Sequence, residues 1–139
     1  MSVPVTAVGS VLPQRVHHVD QPLIDLYAQV SGDHNPLHTD PDFAATTHFG
    51  RTIAHGMMTL AFVSEAIESW AGSGWAEGGA IDVTFLSPVY PGEDVVISGT
   101  IEGADGTDAV NCSIGCEASG RTILAGTARW RISGPAAEA

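Results

Sequence analysis

The hydrophobic and polar positions between His55 and Ala71 repeat with the period of an α-helix. Apolar residues fall on one broad arc of a helical wheel, and serine and glutamate occupy the other. The apolar arc consists of Leu60, Phe62, Val63, Ala66, Ile67 and Trp70. Because the first turn is apolar in several directions, we expect the start of this helix to be buried on all sides. Gly72 is expected to end it.

After this helix the pattern changes to an alternation of apolar and polar residues, which is typical of β-strands. The alternation occupies four segments, near 81–85, 95–101, 110–118 and 122–132. Tight-turn residues separate them, so we predict an antiparallel meander of four strands. A further short strand is predicted over Arg15–Val19. Together with the long helix these strands indicate an α+β fold, in which the sheet wraps around the helix.

The chain before the long helix contains a second predicted helix and a polar connection. Asp20 and Gly32 are residue types that begin and end helices, so a short amphipathic helix is predicted between them. Residues 33–54 form a dense polar connection, in which Asp40–Pro41 is expected to open one or two helical turns that end near Gly50. A connection of this length between two helices is more often functional than passive.

Two glycines and two cysteines lie on the apolar faces of the predicted strands. Gly99 and Gly126 indicate either a close approach of the helix to the sheet or a β-bulge in each strand. Cys112 and Cys116 would lie roughly 13 Å apart on one face of a strand. That separation is too long for a disulfide, so both cysteines are predicted to be buried apolar residues.

Length and composition limit the class of protein. The 139 residues suit a single domain spanning 1–139, for which the tail from 134 to 139 is expected to be disordered. No apolar run reaches the roughly 18 residues of a membrane span, and the N-terminus does not resemble a signal peptide. We therefore expect a cytoplasmic protein.

Charge excludes further functions. The net charge is −11, with five arginines and no lysine, so nucleic acid and anionic membranes are not expected as partners. The absence of lysine also excludes Schiff-base chemistry on a side-chain amine. A phosphate-bearing ligand would have to be held by arginine, by backbone N–H groups or by the start of a helix.

Candidate chemistry lies at the two ends of the polar connection. Asp33 and His38 are an acid and an imidazole that an Asn-Pro turn can bring together around one water, with Asn35 and Asp40 available to orient them. At the other end, the Gly56 N–H stands in the first turn of the long helix, where it has no intrahelical partner. Such a donor suits a carbonyl oxygen that becomes enolate-like, which indicates water addition or elimination next to an activated carbonyl.

A metal site is a weaker interpretation of the same residues. His34, His38 and Asp33 could supply ligands, but Pro36 prevents the regular helix on which two histidines four residues apart would converge. The zinc motif H-E-x-x-H is absent from the sequence. No metal or redox cofactor is therefore expected.

The motifs in this region resemble a known family. The segments S-G-D-H-N-P-L-H-T-D-P-D-F-A-A and G-R-T-I-A-H-G-M-M, with F-L-S-P-V-Y-P-G-E-D further on, are similar to those of the MaoC-like (R)-specific enoyl-CoA hydratases. The resemblance covers nearly the whole chain. It implies the hot-dog fold, in which an antiparallel sheet wraps around a central helix, and a homodimer in which two sheets join.

The resemblance also implies an activity and a set of site residues. The activity is syn hydration of a trans-2-enoyl-CoA thioester to the (R)-3-hydroxyacyl thioester, or the reverse dehydration. Asp33 and His38 match the catalytic pair, and the Gly56 amide matches the donor to the thioester carbonyl. Asn35, His55 and Ser64 are implied as substrate-binding residues. Ser64 is the weakest match, because a serine on the polar stripe of the helix is equally explained by exposure.

Two alternatives remain open at this stage. A dehydratase could act on acyl chains bound to a carrier protein. The acidity of this chain argues against an acidic carrier, unless Arg51, Arg129 and Arg131 form a local basic patch. A non-catalytic acyl-binding subunit that needs a second hot-dog chain is the other alternative. The presence of Asp33, His38 and Gly56 argues against it.

Overall fold

A computed structural model of the protein describes residues 7–104 and 109–131. The elements are β1 (Arg15–Val19), α1 (Gln21–Ser31), α2 (Pro36–Thr39), α3 (Pro41–Ala45), α4 (Gly56–Ala71), α5 (Ser73–Gly78), β2 (Ala80–Phe85), β3 (Glu93–Ala104), β4 (Ala109–Ala118) and β5 (Arg121–Arg131). The five strands form one antiparallel sheet in the order β1-β3-β4-β5-β2. The predicted α+β architecture is confirmed.

Helix α4 lies in the core that the sheet covers. Val63, Ile67 and Trp70 on its apolar arc are buried, and Gly72 ends the helix with a positive φ of 68°. The expectation that the helix start is buried on all sides is wrong, because Met57 is 60% exposed. Met58 in the same turn is 3% exposed, so one side of the turn is buried and the other is open.

Helix α1 begins and ends where its capping residues predict. The Asp20 carboxylate accepts from the Leu23 N–H, and Gly32 adopts the left-handed conformation with φ 79°. The buried residues of α1 are Ile24 and Ala28. The polar connection that follows contains α2 as well as the predicted α3, so it is more helical than the sequence indicates.

Strand β2 does not take the place in the sheet that the predicted meander gives it. Strands β3, β4 and β5 form consecutive hairpins, but β2 pairs with β5 at the far edge, with Val83 opposite Gly126. Residues 86–92 connect β2 to β3, and this connection is longer than the roughly two to five residues of a usual hairpin loop. Helix α5, which no periodicity indicates, delivers the chain to this edge.

The two glycines on the apolar faces have different neighbours. A Cβ at Gly99 would lie 3.0 Å from the Trp70 ring, so the predicted close approach of the helix is confirmed there. A Cβ at Gly126 would instead lie 2.0 Å from the Asp82 carbonyl oxygen of β2. Neither glycine is a bulge, because the register shifts occur between Ile101 and Gly103 and beside Cys116.

Cys112 and Cys116 are buried and unpaired, as predicted, and burial raises the pKa of their thiols to about 11 and about 12. In the described ranges, the helices are too short or too polar to cross a membrane. The predicted disorder of residues 134–139 lies outside the described residues.

Candidate active site

The turn before α2 brings Asp33 and His38 to one side of the polar connection. The Asp33 carboxylate accepts from the Asn35 N–H at 3.2 Å, and the Asn35 side chain accepts from the Leu37 N–H at 3.0 Å. Asn35 thereby caps α2 (Pro36–Thr39), on which His38 lies one turn from the cap. Local hydrogen bonds of the type that Asp and Asn favour thus set the spacing of the acid and the imidazole.

Ile53, near the other end of the polar connection, fixes the orientation of His38. The Ile53 N–H donates to the Leu37 carbonyl at 3.3 Å, and the His38 Nδ1 lies 2.8 Å from the Ile53 carbonyl oxygen. A carbonyl oxygen only accepts, so His38 Nδ1 carries a proton. The other ring nitrogen, Nε2, is therefore the one available for chemistry.

Gln21 supports the same arrangement from α1. Its side-chain amide donates to the His38 carbonyl at 2.8 Å and accepts from the Thr52 hydroxyl at 2.7 Å. The residue thus joins α1, α2 and the connection to α4. Sequence reasoning missed Gln21 and Thr52, because neither lies in a motif or at a spacing that indicates a shared site.

The Asp33 carboxylate and His38 Nε2 face each other across 4.0 Å. This distance is too long for a direct hydrogen bond, but it allows one small molecule to contact both groups. The Asp33 side chain is 53% exposed and that of His38 is 11% exposed. The pair therefore lies at an opening to solvent, with the imidazole at the inner end.

His55 lies behind this pair. It is 2% exposed, and its Nε2 donates to the Asp33 carbonyl at 3.1 Å. Its ring stacks on His38 at a centroid distance of 3.8 Å, and Tyr27 packs on it at 4.8 Å. Burial, more than any other cause, lowers the pKa of His55. A neutral, buried imidazole holds Asp33 and His38 in place, and the predicted contact of His55 with substrate stays a prediction.

The N-terminus of α4 supplies the other part of the site. Gly56 is the first residue of α4, and the first N–H groups of a helix have no intrahelical acceptor, so the Gly56 N–H is left for another acceptor. Gly56 is exposed. A Cβ at this position would lie 3.3 Å from the Phe85 ring, so glycine keeps the approach to the amide open.

Apolar side chains are exposed next to this amide. Met57 follows Gly56 in the chain and is 60% exposed, while Phe85 and Leu86 at the end of β2 are 49% and 56% exposed. Sequence reasoning did not assign Phe85 to the site. Strand β2 carries it there by pairing at the sheet edge, and no local pattern specifies that pairing.

The two remaining predicted residues have structural contacts. Asn35 uses its side-chain oxygen as the cap of α2. The Ser64 oxygen, two turns along α4 from Gly56, accepts from the Trp75 indole N–H at 2.9 Å. The structure does not place Ser64 in contact with Asp33 or His38, so its substrate-binding role stays a prediction.

A metal ion is a poor occupant of this cluster. Asp33, His38 and His55 each place one ligand atom within 4.8 Å of the others, and His34 is not part of the group. The two rings are stacked with an interplanar angle of 24°. Ring lone pairs lie in the ring plane, so nearly parallel rings cannot converge on one ion as the tetrahedral geometry of zinc requires.

The basic patch of Arg51, Arg129 and Arg131, which the sequence leaves as a possibility, does not form. Arg51 and Arg121 both lie over the Tyr90 ring, at 4.8 and 5.2 Å from its centroid. Arg129 and Arg131 stand near the opposite end of β5, an eleven-residue strand, which is roughly 30 Å away at about 3.3 Å per residue. Arg51 therefore shares its surroundings with Arg121 and not with the other two.

The sequence matches the family model described as the MaoC like domain over residues 4–119. This match spans most of the chain and includes all the site residues described above. The protein belongs to the MaoC-like family. The membership confirms the resemblance that the motifs carry.

Individual members of the family are similar in sequence and in structure. An (R)-specific enoyl-CoA hydratase of Rhodospirillum rubrum is 34% identical over 110 residues, which cover 76% of this chain and 74% of that protein. The R-hydratase PhaJ1 from Pseudomonas aeruginosa superposes with a TM-score of 0.79 at 26% identity, covering 96% of this chain and 89% of that one. The hot-dog fold is thereby confirmed.

Some relatives are much longer than this MaoC-like protein. The peroxisomal enoyl-CoA hydratase 2 of Arabidopsis thaliana is 40% identical over 84 residues, which cover 60% of this chain but 27% of that protein. The chain spans less than a third of this and of several other curated relatives.

Proposed function

We propose that the protein hydrates trans-2-enoyl-CoA thioesters to (R)-3-hydroxyacyl thioesters, or catalyses the reverse dehydration. The observation that carries the proposal is the pairing of Asp33 with His38 Nε2 across 4.0 Å. Gly56 is an exposed residue at the start of α4, and its N–H is the hydrogen-bond donor to the thioester carbonyl that this chemistry needs. Related proteins named as (R)-specific enoyl-CoA hydratases support the assignment of the substrate class.

Hydration requires one proton to leave water and another to reach C2 of the alkene. The Asp33 carboxylate takes a proton from the water while the water oxygen bonds to C3. His38, protonated on Nε2, gives its proton to C2. The pair thus begins and ends with one proton between them, and both new bonds form on the face of the alkene that the pair occupies.

The contacts of His38 decide which ring nitrogen takes part. The Ile53 carbonyl accepts from Nδ1, so Nε2 is the nitrogen that faces Asp33 and delivers the proton. The stacked His55 is kept neutral by burial, because its pKa is lowered. A neutral His55 therefore places no further positive charge beside the Asp33–His38 pair.

The Gly56 N–H stabilises the negative charge that develops on the thioester oxygen. The first amide of a sixteen-residue helix also carries the positive end of the helix dipole. Donors of this kind are most effective when they face the position where charge develops. Met57, Phe85 and Leu86 offer apolar contacts beside it for the acyl or pantetheine chain.

Turnover by the purified chain tests the proposal. A panel of trans-2-enoyl-CoAs of increasing length is followed by loss of the absorbance of the conjugated thioester, and the product is resolved by chirality. We expect (R)-3-hydroxyacyl-CoA from at least one member of the panel. Production of the (S) isomer, or no turnover of any member by folded protein, would overturn the proposal.

A dehydratase that acts on carrier-protein substrates is the second candidate. The same catalytic residues would serve either kind of substrate. Comparing the turnover of an enoyl-CoA with that of the same acyl group on holo carrier protein identifies the thiol carrier. The net charge of −11 disfavours an acidic carrier. A non-catalytic subunit would bind the thioester without turnover, and a second hot-dog chain would be needed to restore it.

We also propose a cytoplasmic homodimer. Strand β2 is an edge of the sheet, and four of its six residues are exposed. An open edge beside Phe85 and Leu86 suits pairing with a second copy around a two-fold axis. Sedimentation velocity at micromolar concentration should give the mass of two chains, and a stable monomer would contradict the assignment.

A further inference from the structure

Arg51 lies at the start of the loop whose residue Ile53 orients His38. Two residues further along, Ile53 accepts from His38, and between them Thr52 donates to Gln21. The backbone of Arg51 is therefore within roughly 7 Å of the Ile53 backbone, at about 3.5 Å per residue. A group bound by Arg51 would lie within the reach of one side chain from the loop that orients His38.

The guanidinium of Arg51 is positioned but not neutralised. One of its nitrogens donates to the Pro91 carbonyl at 3.0 Å, and its carbon lies 4.8 Å from the centre of the Tyr90 ring. Neither a carbonyl nor a ring cancels its charge. In the described part of the chain these are its contacts, and the residue is exposed. Its remaining N–H donors face solvent.

Two of the other arginines form ion pairs with glutamates. Arg15 forms an ion pair with Glu65, and Arg121 donates to both oxygens of Glu93 and to the Pro88 carbonyl. Since the protein has no lysine and a net charge of −11, a cation beside the site is an unusual feature of its surface. A planar fork of N–H donors is suited to phosphate oxygens.

We propose that Arg51, oriented by Tyr90 and Pro91, binds a phosphate group of the thiol carrier. This inference rests on the proposed thioester substrate and assigns a residue to the part of it that the chemistry does not touch. The phosphates of CoA and the phosphodiester of a phosphopantetheine arm share this chemistry. The site thus selects carriers that bear a phosphate over thiols that lack one.

The test compares one acyl group on three thiols. The trans-2-enoyl thioesters of CoA, 4′-phosphopantetheine and pantetheine are assayed with the wild type and with Arg51→Ala. We expect Arg51→Ala to raise KM for the CoA thioester about 10-fold with little change in kcat, since a charged hydrogen bond is worth roughly that factor. KM for the pantetheine thioester should not change. An effect on the phosphopantetheine thioester assigns the site to that phosphate, and an effect on CoA alone assigns it to the nucleotide.

Three variants serve as controls. Arg15→Ala removes an equal charge from β1 and should leave all three substrates unaffected. Arg51→Lys keeps the charge but not the fork, and should recover part of the affinity. Tyr90→Phe keeps the ring and should behave as the wild type. An equal rise of KM on all three thiols, or no rise on any, would overturn the inference.

Direct binding separates this inference from the proposed activity. The Kd of CoA itself is measured by calorimetry for the wild type and Arg51→Ala, which requires no turnover. Tighter binding of CoA by the wild type supports the anion site even if no enoyl thioester is hydrated. Equal binding by the two proteins contradicts the site even if hydration is observed.

Discussion

His38 and His55 are stacked at 3.8 Å, and each ring donates one N–H to the backbone of the segment that carries the other part of the site. His38 donates to Ile53, two residues before His55, and His55 donates to Asp33, five residues before His38. This reciprocal arrangement locks the turn before α2 against the start of α4. The distance between Asp33 and His38 therefore depends on both imidazoles.

The first prediction concerns Asp33 and His38 as a unit. Asp33→Asn keeps the acceptor for the Asn35 N–H but removes the charge, and His38→Gln removes the imidazole. Each change should lower kcat at least about 10²-fold, and the double variant should lose little more than the worse single one. Asp42→Asn, on the exposed start of α3, is the matched control. Losses that multiply in the double variant would contradict one shared water.

The second prediction separates two roles of Gly56: the donation of its N–H and the absence of a side chain at this position. Gly56→Pro deletes the N–H at a helix position that tolerates proline, after a His55 whose ψ of 134° suits a residue before proline. We expect kcat to fall by a factor equivalent to about 2.7–4 kcal/mol. Gly56→Ala adds a Cβ against Phe85 but keeps the N–H donor, so its decrease in kcat should be much smaller. Equal kcat in the two variants would exclude the Gly56 N–H as the donor to the thioester oxygen.

The third prediction uses the lowered pKa of His55. An unfolded chain takes up a proton on this histidine near its ordinary pKa of 6.5, whereas the buried ring in the folded protein does so only at lower pH. The folded state therefore loses stability as pH falls below about 6.5. Urea unfolding of the wild type and His55→Gln at pH 7.5 and 5.5 measures this. The free energy of unfolding should fall more in the wild type, and parallel losses would be evidence against a buried neutral ring.

The fourth prediction concerns the ion pair that holds the segment around Tyr90. Hydrogen bonds from Arg121 lower the pKa of Glu93 to about 2, so the carboxylate stabilises the fold above its ordinary pKa of 4.5 and loses this effect as pH falls toward 2. Glu93→Gln should destabilise the protein at pH 7 by about 1–3 kcal/mol, a range reduced for the partial exposure of Arg121.

Urea unfolding at pH 7 and pH 3.5 checks the Glu93 prediction. The difference between Glu93→Gln and the wild type should be smaller at pH 3.5. Glu117→Gln, an exposed position on β4, controls for the loss of one negative charge. A difference that stays constant with pH would show that the carboxylate charge is not what stabilises this segment.

The fifth prediction concerns metal ions. Because the stacked rings of His38 and His55 cannot converge on one ion, dialysis against a chelator should leave kcat unchanged. Added Zn²⁺ should not raise kcat in the dialysed protein. Loss of activity on dialysis, with recovery on adding a divalent ion, would assign a metal to the cluster.

Elements whose signals are local were predictable from the amino-acid sequence. Asp20 and Gly32 bound α1, and Gly72 ends α4, because capping hydrogen bonds and positive φ involve only a few neighbouring residues. The Asn-Pro turn likewise spaces Asp33 from His38 through hydrogen bonds within the same few residues. Such interactions are encoded where they occur, so a single sequence is enough to predict them.

The contacts between distant segments could not be predicted and became known from the three-dimensional fold. Strand β2 reads as the first strand of a meander, yet it pairs with β5 and so carries Phe85 to the Gly56 amide. His55, rather than His34, joins Asp33 and His38, and Gln21 reaches them from α1. Each of these contacts joins residues far apart in the chain, and the choice among possible partners depends on how the whole core packs. A local pattern of residues contains no information about that choice.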